Sequence, residues 1–311
     1  MLCNGTGLYQ TVSDLSFYAH GKLLLTSEYF VMDGAKAIAL PTKLGQKMDV
    51  RSCHSDKPNL KWISLTPNGG PWMSATFDLN NFETKDSEHI VLQNILRQAR
   101  KLNPEFLKEE QSVEVTTKLE FEKDWGLGSS STLIHMIAQW ADINPFELLN
   151  NTFGGSGYDI ACAGAQGNIL YQKPNWQTVD FKPSFTDNLY FVHLNRKQDS
   201  RDAITHYQKM KPDHSSVIND LNHLTDKILN AADLQSFETC IQNHEDIISN
   251  ALKLTRTKDL YFSDYWGEIK SLGAWGGDFV LATSDRLTQE TSDYFIKSGY
   301  KTCLKYNDLI L

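Results

Sequence analysis

The chain has 311 residues, 41% of them hydrophobic and 22% charged, the makeup of a soluble globular protein with material for one large domain or two ordinary ones. A formal charge of −8 and the lack of a long Lys/Arg run exclude general nucleic-acid binding, so an anionic ligand must be held by local donors. Five scattered cysteines (Cys3, Cys53, Cys162, Cys240, Cys303), odd in number and without metal spacing, read as reduced thiols. With no signal-peptide pattern at the start and no apolar run near the roughly 20 residues that span a bilayer, a cytoplasmic protein without a membrane partner is expected.

Taken in chain order, the first part is rich in short strand-like runs at 15–18, 22–26, 37–40, 47–53, 60–65 and 73–79, separated by turn-forming residues. Ser87 to Leu102 reads as a helix with Ser87 as N-cap and an apolar face of Ile90, Val91, Ile95, Leu96 and Ala99. A strand over 113–121 leads into Gly126-Leu127-Gly128-Ser129-Ser130-Ser131, and an apolar helix over 133–141 follows. Pro145 opens a short helix, and the turn Gly154-Gly155-Ser156-Gly157 precedes an apolar run over 158–163. Beyond about residue 185 the pattern changes to a strand at 189–194, long helices at 217–231 and 234–254, and strands at 279–282 and 301–304. These last two flank a helix over 287–297 that Gly299 stops in a left-handed cap. Two α+β halves, 1–185 and 186–311, are expected.

Three glycine-bearing segments carry the chemistry. They are His20-Gly21-Lys22 with Ser27-Glu28-Tyr29, the 126–131 run, and Gly273-Ala274-Trp275-Gly276-Gly277-Asp278. A glycine cluster by itself is usually a tight turn. The 126–131 run, between a strand and a helix, lets backbone approach a ligand and offers free N–H groups at a positive helix end, a setting suited to phosphate. No Gly-Lys-Ser/Thr closes it as a Walker A loop, and a third glycine at dinucleotide spacing is missing. Tyr158 stands where the closing glycine of a serine-hydrolase elbow belongs.

Together the three segments resemble the motifs of the GHMP kinases, the family of galactokinase, homoserine kinase, mevalonate kinase and phosphomevalonate kinase. The family's Pro-Gly-Lys and Gly-Glu-His/Tyr stand here as His20-Gly21-Lys22 and Ser27-Glu28-Tyr29. Its Gly-Leu-Gly-Ser-Ser-Ala stands as Gly126 to Ser131, and its Gly-Ala-Gly-Gly-Gly-Asp as Gly273 to Asp278. Ser156-Gly157-Tyr158-Asp159 matches the element bearing the family's catalytic aspartate, and Gly157 to Cys162 is closest to the phosphomevalonate kinase branch, in the manner of a GYDIA-type member. The resemblance implies an α+β, two-domain fold, with an N-terminal ATP-binding α/β domain (1–185) and a C-terminal ferredoxin-like domain (186–311).

It also implies ATP and Mg2+ as cofactors and small-molecule phosphoryl transfer to phosphomevalonate or mevalonate by a monomer or homodimer. Asp159 and Lys22 would be catalytic, and Gly126, Leu127, Gly128, Ser129, Ser130 and Ser131 would hold ATP. His20, Glu28, Ser156, Gly157, Ser200, Arg201, Gly273 and Ala274 would meet the acceptor. Ser130 would reach magnesium, with Glu147 the nearest candidate for a second ligand; a solvated helix glutamate is the plainer reading of it. Ser129 and Ser131 also suit a helix cap. His20 departs from the family's proline, and Trp275, in place of a glycine, either narrows the acceptor cleft or packs over a neighbouring loop.

A hydroxyl acceptor must lose a proton, so Asp159 would matter as a base, with Lys22 holding it ionised. A phosphate acceptor is already anionic and needs cations, for which Lys22, Arg196, Lys197, Arg201 and Lys270 are candidates. Other readings are a sugar or amino-alcohol kinase, a diphosphomevalonate decarboxylase-like enzyme and a non-catalytic nucleotide-binding relative.

Overall fold

The computed structural model describes residues 11–54, 58–83, 89–108, 111–196, 207, 214–273 and 275–311. The first surprise is strand length. Instead of four short runs, the chain forms two long strands, β1 (Thr11–Leu24) and β2 (Ala37–His54), which pair with each other. Gly21 and Gly45 look like turn residues in the sequence but sit inside these strands. A Cβ at Gly21 would run into the Thr42 hydroxyl, and one at Gly45 into the Ala19 carbonyl and the Tyr18 ring. Close backbone approach, not chain reversal, accounts for both glycines.

Two compact units emerge, and neither follows the division at residue 185. The first comprises 1–19, 45–123 and 129–155; the second comprises 20–44, 124–128 and 156–311. The pattern change near 185 marks a shift in element type, whereas compactness depends on long-range pairing. The chain crosses between units within β1 and within β2.

In the first unit, β3 (Asn59–Leu65) lies between β4 (Pro71–Asp78), antiparallel, and β5 (Gln111–Leu119), parallel; β5 then pairs antiparallel with the 46–54 part of β2. Alternation along β3 buries Leu60 and Trp62 and exposes Ile63. The helices are α1 (Ile90–Leu102), α2 (Ser129–Trp140) and α3 (Pro145–Asn150). Helix α1 buries Leu92, Ile95, Leu96 and Ala99, while Ile90 and Val91 are exposed, contrary to the expected face. Positions 92, 95, 96 and 99 share one helical stripe that 90 and 91 do not. Ser87, the expected cap, lies outside the described residues, and His89 precedes the helix. Asn144 caps α3 by accepting the Phe146 N–H at 2.8 Å.

The second unit begins with the 37–39 part of β2 paired to β6 (Ile169–Gln172), which pairs with β7 (Asn175–Thr178); α4 (Tyr158–Gly164) precedes them. An antiparallel sheet follows in the order β11-β8-β10-β9, made of β8 (Leu189–His193), β9 (Ile269–Ser271), β10 (Phe279–Thr283) and β11 (Cys303–Lys305). Helices α5 (Ser215–Leu229) and α6 (Leu234–Leu252) pack on each other and bury the expected face of Leu221, Leu224, Ile228, Phe237, Ile241, Ile248 and Leu252. Asp233 and Ser236 form a reciprocal capping box at the start of α6. Shorter helices α7 (Thr257–Tyr261), α8 (Thr288–Lys297) and α9 (Tyr306–Leu309) complete the unit. Gly299, at φ 94°, follows α8 as expected and donates its N–H to the Ile296 carbonyl at 3.0 Å. Cys162, Cys240 and Cys303 are free thiols. No helix among the described residues is long and apolar enough to cross a membrane.

Candidate active site

The site is built in the second unit around the 124–128 loop. Gly126 and Gly128 adopt φ of 66° and 90°, conformations that side chains disfavour. Gly126 has a second reason to lack a side chain: a Cβ there would overlap the Asp278 carboxylate. Trp125 anchors the loop by packing edge-on against Phe279, with ring centroids 5.7 Å apart, and tilted over His193 at 6.1 Å. The Asp124 carbonyl lies 3.3 Å from His193 Nε2. The loop is thus fixed to β8 and β10, and the chain continues from Gly128 into α2, whose first residues are Ser129, exposed Ser130 and buried Ser131.

Lys22, near the end of β1, joins this loop through its backbone, donating its N–H to the Leu127 carbonyl at 2.9 Å. Its ammonium lies 5.7 Å from the Tyr158 ring centroid. Burial works against the charge on Lys22, but Tyr158, Asp159 and Asp278 outweigh it and raise its pKa. The ammonium stays charged at neutral pH.

Asp159 is placed by Gly157, whose φ of 90° turns the chain into α4, and its Oδ1 accepts the Ile160 N–H at 3.0 Å. Burial raises its carboxyl above the usual range, against the pull of Lys22 and the backbone amides. Burial likewise raises the Tyr158 phenol, with Lys22 opposing. Lys22, Tyr158, Asp159 and Asp278 are each largely buried yet keep some contact with solvent. A fixed cation between two carboxylates, beside a glycine loop, can neutralise a transferring anion while a carboxylate accepts a proton.

The other predicted residues fall in different places. His20 Nδ1 pairs with the Thr42 carbonyl at 2.9 Å, and the Ser156 carbonyl accepts from the Tyr171 hydroxyl. Glu28 is fully enclosed and paired with Lys270, so neither side chain faces solvent. Gly273 has φ 65° in the loop after β9. Arg196 is exposed, stacks 4.3 Å over Tyr261 and accepts the Asp278 N–H on its carbonyl at 3.1 Å. Glu147 is exposed on α3 in the first unit. Ser200, Arg201, Lys197 and Ala274 lie outside the described residues. Trp275 packs inward: its N–H donates to the Tyr29 hydroxyl at 2.9 Å, its indole N–H to the Thr255 carbonyl at 3.0 Å, and it is 5% exposed.

Two members of the group were not picked out by the sequence reading. Asp278 closes the third glycine segment, and its place after Gly276-Gly277 was the available signal. Tyr158 gave none, since an aromatic at a helix start is ordinary core material.

No protein-family profile matches the chain, and no curated protein is significantly similar to it in sequence. Solved structures are similar in fold. A mevalonate kinase aligns with a TM-score of 0.70 at 14% identity, over 94% of this chain and 99% of that one. The Streptococcus pneumoniae phosphomevalonate kinase, solved with phosphomevalonate and AMPPNP, aligns equally, with a TM-score of 0.70, 14% identity and the same 94% and 99% coverage. The Lactococcus lactis galactokinase, solved with galactose, aligns with a TM-score of 0.66 at 15% identity over 93% and 89%. The chain has the GHMP kinase fold. The α+β fold implied by the sequence motifs is therefore present.

Proposed function

We propose that the protein is an ATP-dependent small-molecule kinase of the GHMP type, transferring the ATP γ-phosphoryl group to phosphomevalonate or mevalonate. The observation that carries this reading is the convergence of Lys22, Tyr158, Asp159 and Asp278 beside the Gly126–Gly128 loop. Fold similarity to kinases solved with AMPPNP, phosphomevalonate and galactose supports it. Phosphoryl transfer asks a protein mainly for positioning and charge neutralisation. The 126–128 amides and the serines that open α2 would hold the ATP phosphates, and Lys22 would face the transferring group.

Among the described residues no set of three or more His, Cys, Asp or Glu side chains could hold a metal by itself. Mg2+ would instead come in on the ATP phosphates and take one or two protein ligands, the usual arrangement for this ion. Ser130, exposed in the first turn of α2, would be one such ligand, and the ion would neutralise phosphate charge; nothing in the structure favours Glu147 over a solvated helix glutamate as the second. Asp159 would take the proton from a hydroxyl acceptor, a role suited to a carboxyl whose pKa burial has raised. For a phosphate acceptor the cations matter instead. Lys22 and Arg196 are the described candidates, since Lys270 is sealed.

The test is ADP release from Mg2+ and ATP with mevalonate, phosphomevalonate, galactose and homoserine offered in turn. Turnover with either mevalonate compound is expected. ATP binding without turnover on any acceptor would replace the kinase reading with a nucleotide-binding one.

A further inference from the structure

A second charged cluster lies in the same unit, sealed from solvent. Lys270, on β9, is 0% exposed, as are Glu28 and His244, and Glu245 is 1% exposed. The Lys270 ammonium donates to Glu28 Oε1, to Glu245 Oε1 at 3.3 Å and to the Ser271 carbonyl at 3.0 Å. His244 Nε2 lies 3.7 Å from Glu28 Oε2. Two carboxylates share one ammonium, and Glu28 Oε2, Glu245 Oε2 and His244 Nδ1 find no hydrogen-bond partner among the described residues. Apolar residues of the same volume often stabilise such a core as well or better, so a buried ionic cluster invites a search for a geometric role.

The geometry it fixes is the turn around Glu28. Ser27 and Tyr29 both have positive φ, 64° and 62°, a strained conformation for a non-glycine residue that persists only where the surroundings enforce it. Three contacts enforce it here. The Ser27 N–H donates to His244 Nε2 at 2.8 Å, Glu28 is held by Lys270, and the Tyr29 hydroxyl accepts the Trp275 N–H at 2.9 Å. Lys270 therefore holds the turn that follows Lys22, and it begins the stretch of chain that ends at Asp278.

We propose that Lys270 is a positioning residue for the Lys22 site. It clamps the Ser27–Tyr29 turn and, through the Tyr29 hydroxyl, the Trp275 amide, so that the third glycine segment delivers Asp278 beside Gly126. The effect on turnover rests on the kinase reading; the clamp itself does not.

Lys270→Met alone would strand two buried carboxylates, so the triple variant Glu28→Gln, Glu245→Gln, Lys270→Met is the useful one, being neutral and close in volume. Its fold is checked by circular dichroism and its backbone by amide hydrogen exchange. Exchange at Ser27 and Trp275 should quicken together by about 10- to 100-fold, as expected for losing a charge-assisted network, while Val192 in β8 keeps its protection. In steady-state kinetics kcat should fall at least about 10-fold with a smaller change in KM for ATP, the pattern of lost alignment rather than lost binding. Unchanged exchange at Trp275 in the folded variant overturns the clamp. Faster exchange with an unaltered kcat overturns the positioning role. An absence of turnover in the unsubstituted protein overturns the kinase reading instead, and the exchange result still judges the clamp.

Discussion

Lys22 and Lys270 each face two carboxylates and one ring, yet solvent separates their roles. Lys22 sits among Asp159, Asp278 and Tyr158, each largely buried but still reached by solvent. Lys270 sits with Glu28 and Glu245, and His244 touches the same group; all are closed off. The open set can exchange a phenol or carboxylate contact for a ligand at modest cost. The sealed set cannot, because each polar group there would lose its partner without gaining water. Charge count alone does not identify a site; access does.

The comparison can be broken at either end. The largest effect is expected at the open set: Asp159→Asn should lower transfer to mevalonate by about 10²- to 10⁴-fold, the range for losing a general base, while leaving substantial transfer to phosphomevalonate. Parallel assays with both acceptors check this, and equal loss with the two would remove the base argument. At the sealed set, Lys270→Met should cost about 3–5 kcal/mol of stability, the usual penalty for stranding a buried charge, read from denaturant midpoints. A loss under 1 kcal/mol would mean that the carboxylates share a proton and need no cation.

Gly126→Ala tests the loop between these extremes. The new methyl group would overlap the Asp278 carboxylate at a positive φ. Nucleotide affinity should fall about 10-fold or more, with stability reduced by about 1–3 kcal/mol; calorimetric titration with AMPPNP checks it.

The smallest effect concerns pH. Burial pushes the Glu28 carboxyl up to about 7, with Glu245 adding to the rise and Lys270 opposing it. His244, the other titratable group against it, is held neutral by burial and by Lys270. A folded-state pKa above the unfolded one means that Glu28's contribution is fully present below the unfolded value and is lost as pH climbs through about 7. Glu28→Gln carries no such decline. The variant's Tm relative to the parent should therefore rise between about pH 4.5 and 7 and level off above. A difference that stays constant across the series would place Glu28's proton elsewhere.

Much of this was legible in the sequence because it is local. The 126–131 run, the Gly157 turn before Asp159 and the α5 and α6 stripes each follow from neighbouring residues alone. What was not legible depends on residues far apart in the chain. Glu28 reads as an acceptor contact within its own motif, and only β9 reveals that it belongs to Lys270. Gly21 and Gly45 look like turns until their strand neighbours show why a Cβ would not fit. Trp275 allowed two readings until Tyr29 and Thr255 claimed its two N–H groups. In each case the deciding contact is made by folding, not by spacing.

The chain's interleaved path also bears on its synthesis. Residues 20–44 hold Lys22 and bury Leu23, Leu24, Leu25, Phe30 and Val31, but they belong with elements made much later. Beyond the pairing of β1 with β2, their further sheet partner β6 begins at Ile169, and Phe30 waits longer, for Leu221 and Ile248. At roughly 5–20 residues per second on the ribosome, that interval is on the order of ten seconds. Until those later partners arrive, the β1–β2 pair is the only sheet partner this apolar stretch has, so a chaperone holding the nascent chain would do so here.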